Sequence, residues 1–352
     1  MSRKGVTGSG MSRPVTILVG LAATFLVIAG LRDAAGIVGP TFLALVLTIA
    51  VHPLHTWAER RRLPGWVGTI AGLAAIYACL LALVVSFAVA IARFATLLPA
   101  YRVQFARLLD RTLAWLADLG LTQTQLEEMA GALDINKLVT VASSVAGGAL
   151  GVLTSLGFVV TLLLFMVADA AGFGHKLLAM PAERLRLARA LSTFATGTRR
   201  YLVVSTVFGL AVAVVDVAAL LVIGVPAALL WGLLSFITNY IPNIGFVLGL
   251  VPPAVIGLLE GGPRMMIAVI VAYSVANVAI QSVLQPKVVG NVVDVSATLT
   301  MLSLVFWAFT LGAIGALLAV PLTLLVKALL VDADPDAAWL QPLLSAQRKS
   351  TR

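Results

Sequence analysis

The chain has 352 residues, of which 61% are hydrophobic and 11% charged, about half the charge a soluble domain carries. A water-soluble globular body is excluded, because the apolar residues gather into uncharged runs that match or exceed the ~20 residues a helix needs to cross a hydrocarbon core. The net charge of +9 comes from Lys and Arg placed between those runs, where it orients the chain in a lipid bilayer and gives no reason to expect nucleic acid as a partner.

The first apolar run, residues 15–31, follows Arg3, Lys4 and Arg13. It is long and lacks a small-residue cleavage site, so it reads as a retained anchor. Residues 34–51 follow after a link of only Arg32 and Asp33, which forces a helical hairpin. The basic triplet Arg60, Arg61 and Arg62 marks the cytoplasmic side, in agreement with the basic amino terminus. A third span, 66–92, then leads outward, and residues 1–92 form a unit of cytoplasmic tail and three spans.

Residues 93–144 change character. Arg102, Arg107, Asp110, Arg111, Asp118, Glu127, Glu128, Asp134 and Lys137 are spread among leucines at helical spacing, which predicts an extramembrane helical segment on the outer face. Residues 145–200 hold a fourth span and a basic cytoplasmic segment in which Leu187, Leu191 and Phe194 recur as on an amphipathic helix. Residues 332–352 form a polar cytoplasmic tail. Cys79 is the single cysteine, so no intrachain disulfide or thiolate cluster is available.

Residues 201–331 carry the most information. A span over 202–223 and another over 265–285 are each followed by an uncharged stretch, 225–259 and 295–326, that as one helix would reach roughly 50 Å against a core of about 30 Å. The first is interrupted by Tyr240-Ile241-Pro242-Asn243-Ile244-Gly245 and the second by Leu311-Gly312-Ala313-Ile314-Gly315, with Pro321 soon after. Both contain natural helix breakers. The stretches align without gaps at an offset of 70, Gly245 falling on Gly315, which predicts an inverted repeat of one span plus one broken or re-entrant hairpin per copy. Full passage of both stretches is the alternative. The predicted fold class is therefore all-α, a multi-pass integral membrane protein of about eight hydrophobic elements.

No Walker A loop and no H-E-x-x-H pattern is present, so neither an ATP-driven pump nor a zinc protease is expected, and no catalytic residue, cofactor or metal is assigned. Asp216, deep in the fifth span, costs several kcal/mol unless it is paired, hydrated or protonated. It is a candidate proton- or sodium-binding carboxylate, weighed level with a structural one. Ser235, Thr238, Asn239 and Asn243 cluster at the first break, where side chains and freed carbonyls can replace a solute's hydration shell. Asn277 and Gln281 lie one helical turn apart, and Gln285 continues the row. Pro242, Gly245, Gly312, Gly315 and Pro321 are candidate breaks or hinges, although membrane helices also use small residues simply for close packing.

Pro242-Asn243-Ile244-Gly245, then Asn277 and Gln285-Pro286-Lys287-Val288-Val289-Gly290, then Gly312-Ala313-Ile314-Gly315 and Pro321 resemble the AI-2E (autoinducer-2 exporter) family, or PerM-like permeases. The resemblance runs in order from about Val15 to Val331. Two positions depart from the family pattern: Phe246 and Ala297 stand where a proline commonly occurs. The resemblance implies a bacterial inner-membrane permease with both termini cytoplasmic. Members are associated with export of the quorum-sensing signal autoinducer-2, and others with exchange of sodium or lithium for protons. The expectations are thus an alternating-access exporter of a small polar solute, with a sodium/proton antiporter and a non-transporting scaffold as alternatives. The outer segment also offers a surface for a homo-oligomer of unspecified number.

Overall fold

The computed structural model describes residues 12–62, 64–97, 101–120, 122, 124, 157–169, 181, 185–242, 244–289 and 296–344, and all regular structure among them is helical. Five helices are long and apolar enough to cross a membrane, and three shorter apolar ones accompany them. The chain is a multi-pass all-α membrane protein.

Helix α1 (Arg13–Asp33) turns at Ala34 into α2 (Ala35–Arg60), as the short Arg32–Asp33 link requires. No part of the apolar stretch of α1 is buried, which leaves its leucines and valines to lipid. Helix α3 (Gly65–Leu97) pairs with α2, with Gly72 of α3 facing Val51. Helix α4 (Arg102–Asp118) lies in the segment expected to be extramembrane. Helix α5 (Gly157–Asp169) packs Val159, Leu163 and Val167 against Ala44 and Ile76.

The basic segment and the fifth span form one 39-residue helix, α6 (Leu185–Ile223), so the expected boundary at residue 200 falls inside it. No proline interrupts these residues, and Gly197 packs against Leu324 within the helix.

After α6 the chain turns through Gly224 (φ 87) and Ala227 (φ 58) into α7 (Ala228–Thr238). Residues 239–243 break the helix and α8 (Ile244–Asn277) starts back. At 11 residues, α7 spans roughly 16 Å, about half a hydrocarbon core. A second break, Gly262 with φ 71 and Pro263 behind it, separates the returning arm of α8 from the span that follows. Gly224 and Gly261 both lie against Met265, so the hairpin begins and ends at the same end of the molecule.

The second unit repeats this plan upside down. The span from Pro263 continues as a π-helical stretch, Val278–Leu284, and then Gln285–Val289. Helix α9 (Ala297–Leu317) breaks at Gly312 (φ 67), and α10 (Ala319–Lys327) returns. Its base, Lys327 to Asp332, lies beside Arg186 and Arg189 at the amino-terminal end of α6. The first hairpin is rooted at the carboxy-terminal end of α6. The two therefore enter from opposite ends, and Ile241 and Ile314, beside the two breaks, pack against one cluster that includes Leu311, Leu318 and Phe194.

The matched glycines perform the same task in both copies. A Cβ on Gly245 would sit 1.9 Å from the Thr238 carbonyl oxygen, and one on Gly315 would sit 2.0 Å from that of Trp307. Each break closes only because no side chain stands there. Ala297 sits at the start of α9 beside Ser296, whose hydroxyl accepts the Leu299 amide at 3.3 Å as a helix cap.

Candidate functional site

Asp216 sits on the face of α6 turned toward the first hairpin and is 1% exposed. Ser235 of α7 donates its hydroxyl to Asp216 Oδ2 at 2.6 Å. Among the described residues, the other carboxylate oxygen has no hydrogen-bond partner, and the same is true of the hydroxyl of Tyr273, a residue 2% exposed on the span of the second unit. Unpartnered buried polar atoms are uncommon and call for a reason. Here both residues line one small cavity of about 10 Å³, together with Thr238, Asn239, Asn277 and Gln281, a space on the scale of a single water.

Local structure explains how these side chains converge. Asn239 follows the last turn of α7, where the helix has ended, and its amide is free to cross to neighbouring helices. It donates to the Ser205 carbonyl at 3.2 Å and accepts from Gln281. Gly209 admits it, because a Cβ there would lie 2.5 Å from the Asn239 amide nitrogen. Gln281 belongs to the π-helical stretch, whose extra residue per turn re-aims a side chain and recurs at functional sites. Gly249 allows α8 to approach the Thr238 hydroxyl.

Beyond the Asn239–Gln281 pair lies a larger cavity of about 240 Å³ that also touches Ile241, Pro242, Phe246, Asn277 and Ser282. The two spaces share Asn239, Phe246, Asn277 and Gln281, so the amide pair stands as a septum between them. Chemically, this is a polar chamber between the two repeats, with a carboxylate at its closed end and amides at its mouth.

Of the candidate residues, Asp216, Ser235, Thr238, Asn239, Asn277, Gln281, Pro242 and Gly245 border these two spaces. Asn243 lies outside the described residues. Gly312, Gly315 and Pro321 belong to the second hairpin, where Gly315 closes the break and Pro321 is fully buried; none borders the chamber. Tyr273 escaped the sequence reading. It stands four residues before Asn277 and so opens the same row as Asn277, Gln281 and Gln285. Phe246 escaped it as a site residue as well.

A second polar contact holds the root of the first hairpin. Tyr101, buried just before α4, donates its hydroxyl to Glu260, two residues before the Gly262 break. Desolvation first, and then the Glu260 carboxylate, push the Tyr101 phenol above its ordinary value of 10.0.

A family model described as AI-2E family transporter matches residues 15–333. The chain is 31% identical over 337 residues to "Putative transport protein YhhT" of Escherichia coli K12, covering 96% of each. It is 28% identical over 323 residues to "AI-2 transport protein TqsA" of the same organism, covering 90% of this chain and 94% of that protein. A "Putative transport protein" of Haemophilus influenzae is 29% identical over 337 residues, covering 93% and 95%.

Proposed function

The chain belongs to the AI-2E transporter family, and from that premise we propose that it is a secondary permease of a bacterial inner membrane, with both termini cytoplasmic, exporting a small polar solute by alternating access. The observation that carries this reading is the chamber between the repeats. A carboxylate taken out of water without a full set of partners costs on the order of several kcal/mol. A chain that keeps Asp216 there, one oxygen held by Ser235 and the other turned into a cavity, has a use for it.

In this reading the solute occupies the 240 Å³ space, where the Asn239, Asn277 and Gln281 amides offer donors and acceptors to hydroxyl groups. Separation of Asn239 from Gln281 then joins that space to the Asp216 end, and the hairpin tip moves against the span of the second unit. The name of the Escherichia coli relative TqsA makes autoinducer-2 the first solute to test.

A sodium/proton antiporter is the second reading. The inner cavity is the observation that favours it, because about 10 Å³ admits one water or one cation but no organic molecule. Asp216, Ser235, Thr238 and Asn277 would surround such an ion with oxygen.

Flux in proteoliposomes distinguishes the two. Labelled autoinducer-2 is followed in one arm and sodium under an imposed pH gradient in the other, with Asp216→Asn and Asn239→Ala beside the parent. Organic flux lost in Asn239→Ala supports the exporter. Sodium-coupled proton movement lost in Asp216→Asn supports the antiporter. Folded parent protein that moves neither leaves a different solute or the scaffold reading.

A further inference from the structure

A third cavity, of about 390 Å³, lies well away from the chamber, at the base of the second hairpin. Its volume is in the range of small-molecule sites. Its polar lining is Arg186, Arg189 and Thr193 from α6, Lys327 and Asp332 from the base of the hairpin, and Gln341 from the segment that follows.

The charges here are unbalanced. Among the described residues, Asp332 is the one carboxylate in the lining, and it is already engaged: Lys327 bridges to it at 3.3 Å, and Gln341 donates to it at 3.3 Å. No hydrogen bond or ion pair joins Arg186 or Arg189 to another described residue. Three positions apart on one helix, they project over neighbouring parts of the same face. Two guanidinium groups over a concave space, with a hydroxyl beside them, match an oxyanion, because the planar fork of Arg presents paired donors to phosphate oxygens. A packing role for the two arginines would leave them against apolar surface, but both are exposed.

We propose that this pocket binds the phosphate group of an anionic ligand, held by Arg186 and Arg189 with Thr193 assisting, while Lys327 stays clamped to Asp332. The phosphate comes either from an anionic lipid headgroup or from a soluble phosphate ester. In both cases the ligand is held on α6, beside the root of the second hairpin.

The test uses the full-length protein in nanodiscs. In the lipid arm, phosphatidylglycerol is mixed with phosphatidylcholine and the lipids retained by the protein are counted by native mass spectrometry. In the soluble arm, the discs contain phosphatidylcholine alone, and inorganic phosphate or ATP is titrated against melting temperature, with sodium chloride matching the ionic strength. The parent should retain phosphatidylglycerol selectively or be stabilised by phosphate or ATP. The double variant R186Q/R189Q should lose that binding by tenfold or more, roughly the effect of removing a charge-assisted bond. The pair R107Q/R111Q on α4 should not. Retention of phosphatidylglycerol identifies a lipid, and stabilisation by phosphate or ATP identifies a soluble ester. Binding that is unchanged in R186Q/R189Q, or no binding of any of the three by the parent, overturns the proposal. Should the double variant fail to fold, Asp332→Asn decides: it releases Lys327 and removes the carboxylate, so binding should tighten, and unchanged affinity overturns the assignment.

Discussion

Asp216 shows how a single residue can be read before any coordinates exist. A carboxylate far inside an apolar run must be paired, hydrated or functional. The described residues supply one hydrogen bond from Ser235 and leave the second oxygen facing a cavity. Asp216→Asn keeps the shape and the Ser235 contact, so melting temperature should stay within a few degrees while flux in proteoliposomes falls tenfold or more; unchanged flux would remove the residue from the mechanism. The other chamber residues were legible for the same reason, as polar groups where water is absent. Tyr273 was not, because an aromatic ring within an apolar run reads as packing, and its hydroxyl becomes informative only once it is seen without a partner. Gly245 makes the opposite point. Its part in the break was visible from Pro242 and the 70-residue offset, yet the reason is a carbonyl 1.9 Å from where a Cβ would be. Overpacking of this kind costs typically about 1–3 kcal/mol. Gly245→Ala and Gly315→Ala should both lower the melting temperature in detergent, whereas Gly20→Ala, with open space around it, should not.

Among elements, the hairpins were foreseeable and their fine structure was not. Length alone demanded an interruption in residues 225–259 and 295–326, and Pro and Gly marked where. The Gly262 break between hairpin and span went unnoticed because it falls between two apolar runs already treated as separate. The π-helical stretch has no sequence signature at all, since it depends on how the span meets α6 and α7. That stretch carries Gln281, and its pairing with Asn239 separates the two parts of the chamber. Gln281→Ala should therefore open the septum. A cysteine placed at Thr238 should react several-fold faster with a small methanethiosulfonate in the Gln281→Ala background, and an equal rate would show that the pair is not the barrier. At the root of the first hairpin, the Tyr101–Glu260 bond should be sensitive to alkali. A phenol held above its unfolded value of 10.0 adds stability that is complete below that pH and declines as pH rises beyond it. Tyr101→Phe should remove this dependence, as followed by melting temperature between pH 8 and 11.

At the scale of the whole molecule, the question is how one chain presents the same device to both sides of a membrane. The two units are each a span with a hairpin, and because each crosses once, the second must be inverted. The contacts follow that logic: one hairpin is rooted where Gly224 meets Met265, the other where Lys327 and Asp332 face Arg186 and Arg189, at opposite ends of the 39 residues of α6. Helix α6 thus serves as a common post, and both breaks meet the cluster that holds Ala190, Phe194 and Leu202 of its amino-terminal half. Yet the chamber is asymmetric. Its carboxylate and the Ser235 and Thr238 hydroxyls come from the first unit, and the second unit contributes Tyr273, Asn277 and Gln281 of its span but nothing from its hairpin. Gly39 and Phe194 pack around the second hairpin, while the first carries the polar groups that line the chamber. Such an architecture fixes which ends face which solvent. With Cys79 replaced by Ser, a cysteine at Arg264 should react with a membrane-impermeant maleimide added outside intact spheroplasts. One at Asp336 should react only in inverted vesicles. Labelling of both from the same side would mean that the hairpins share a face of the membrane, and an inverted repeat with alternating access could not then be built from this chain.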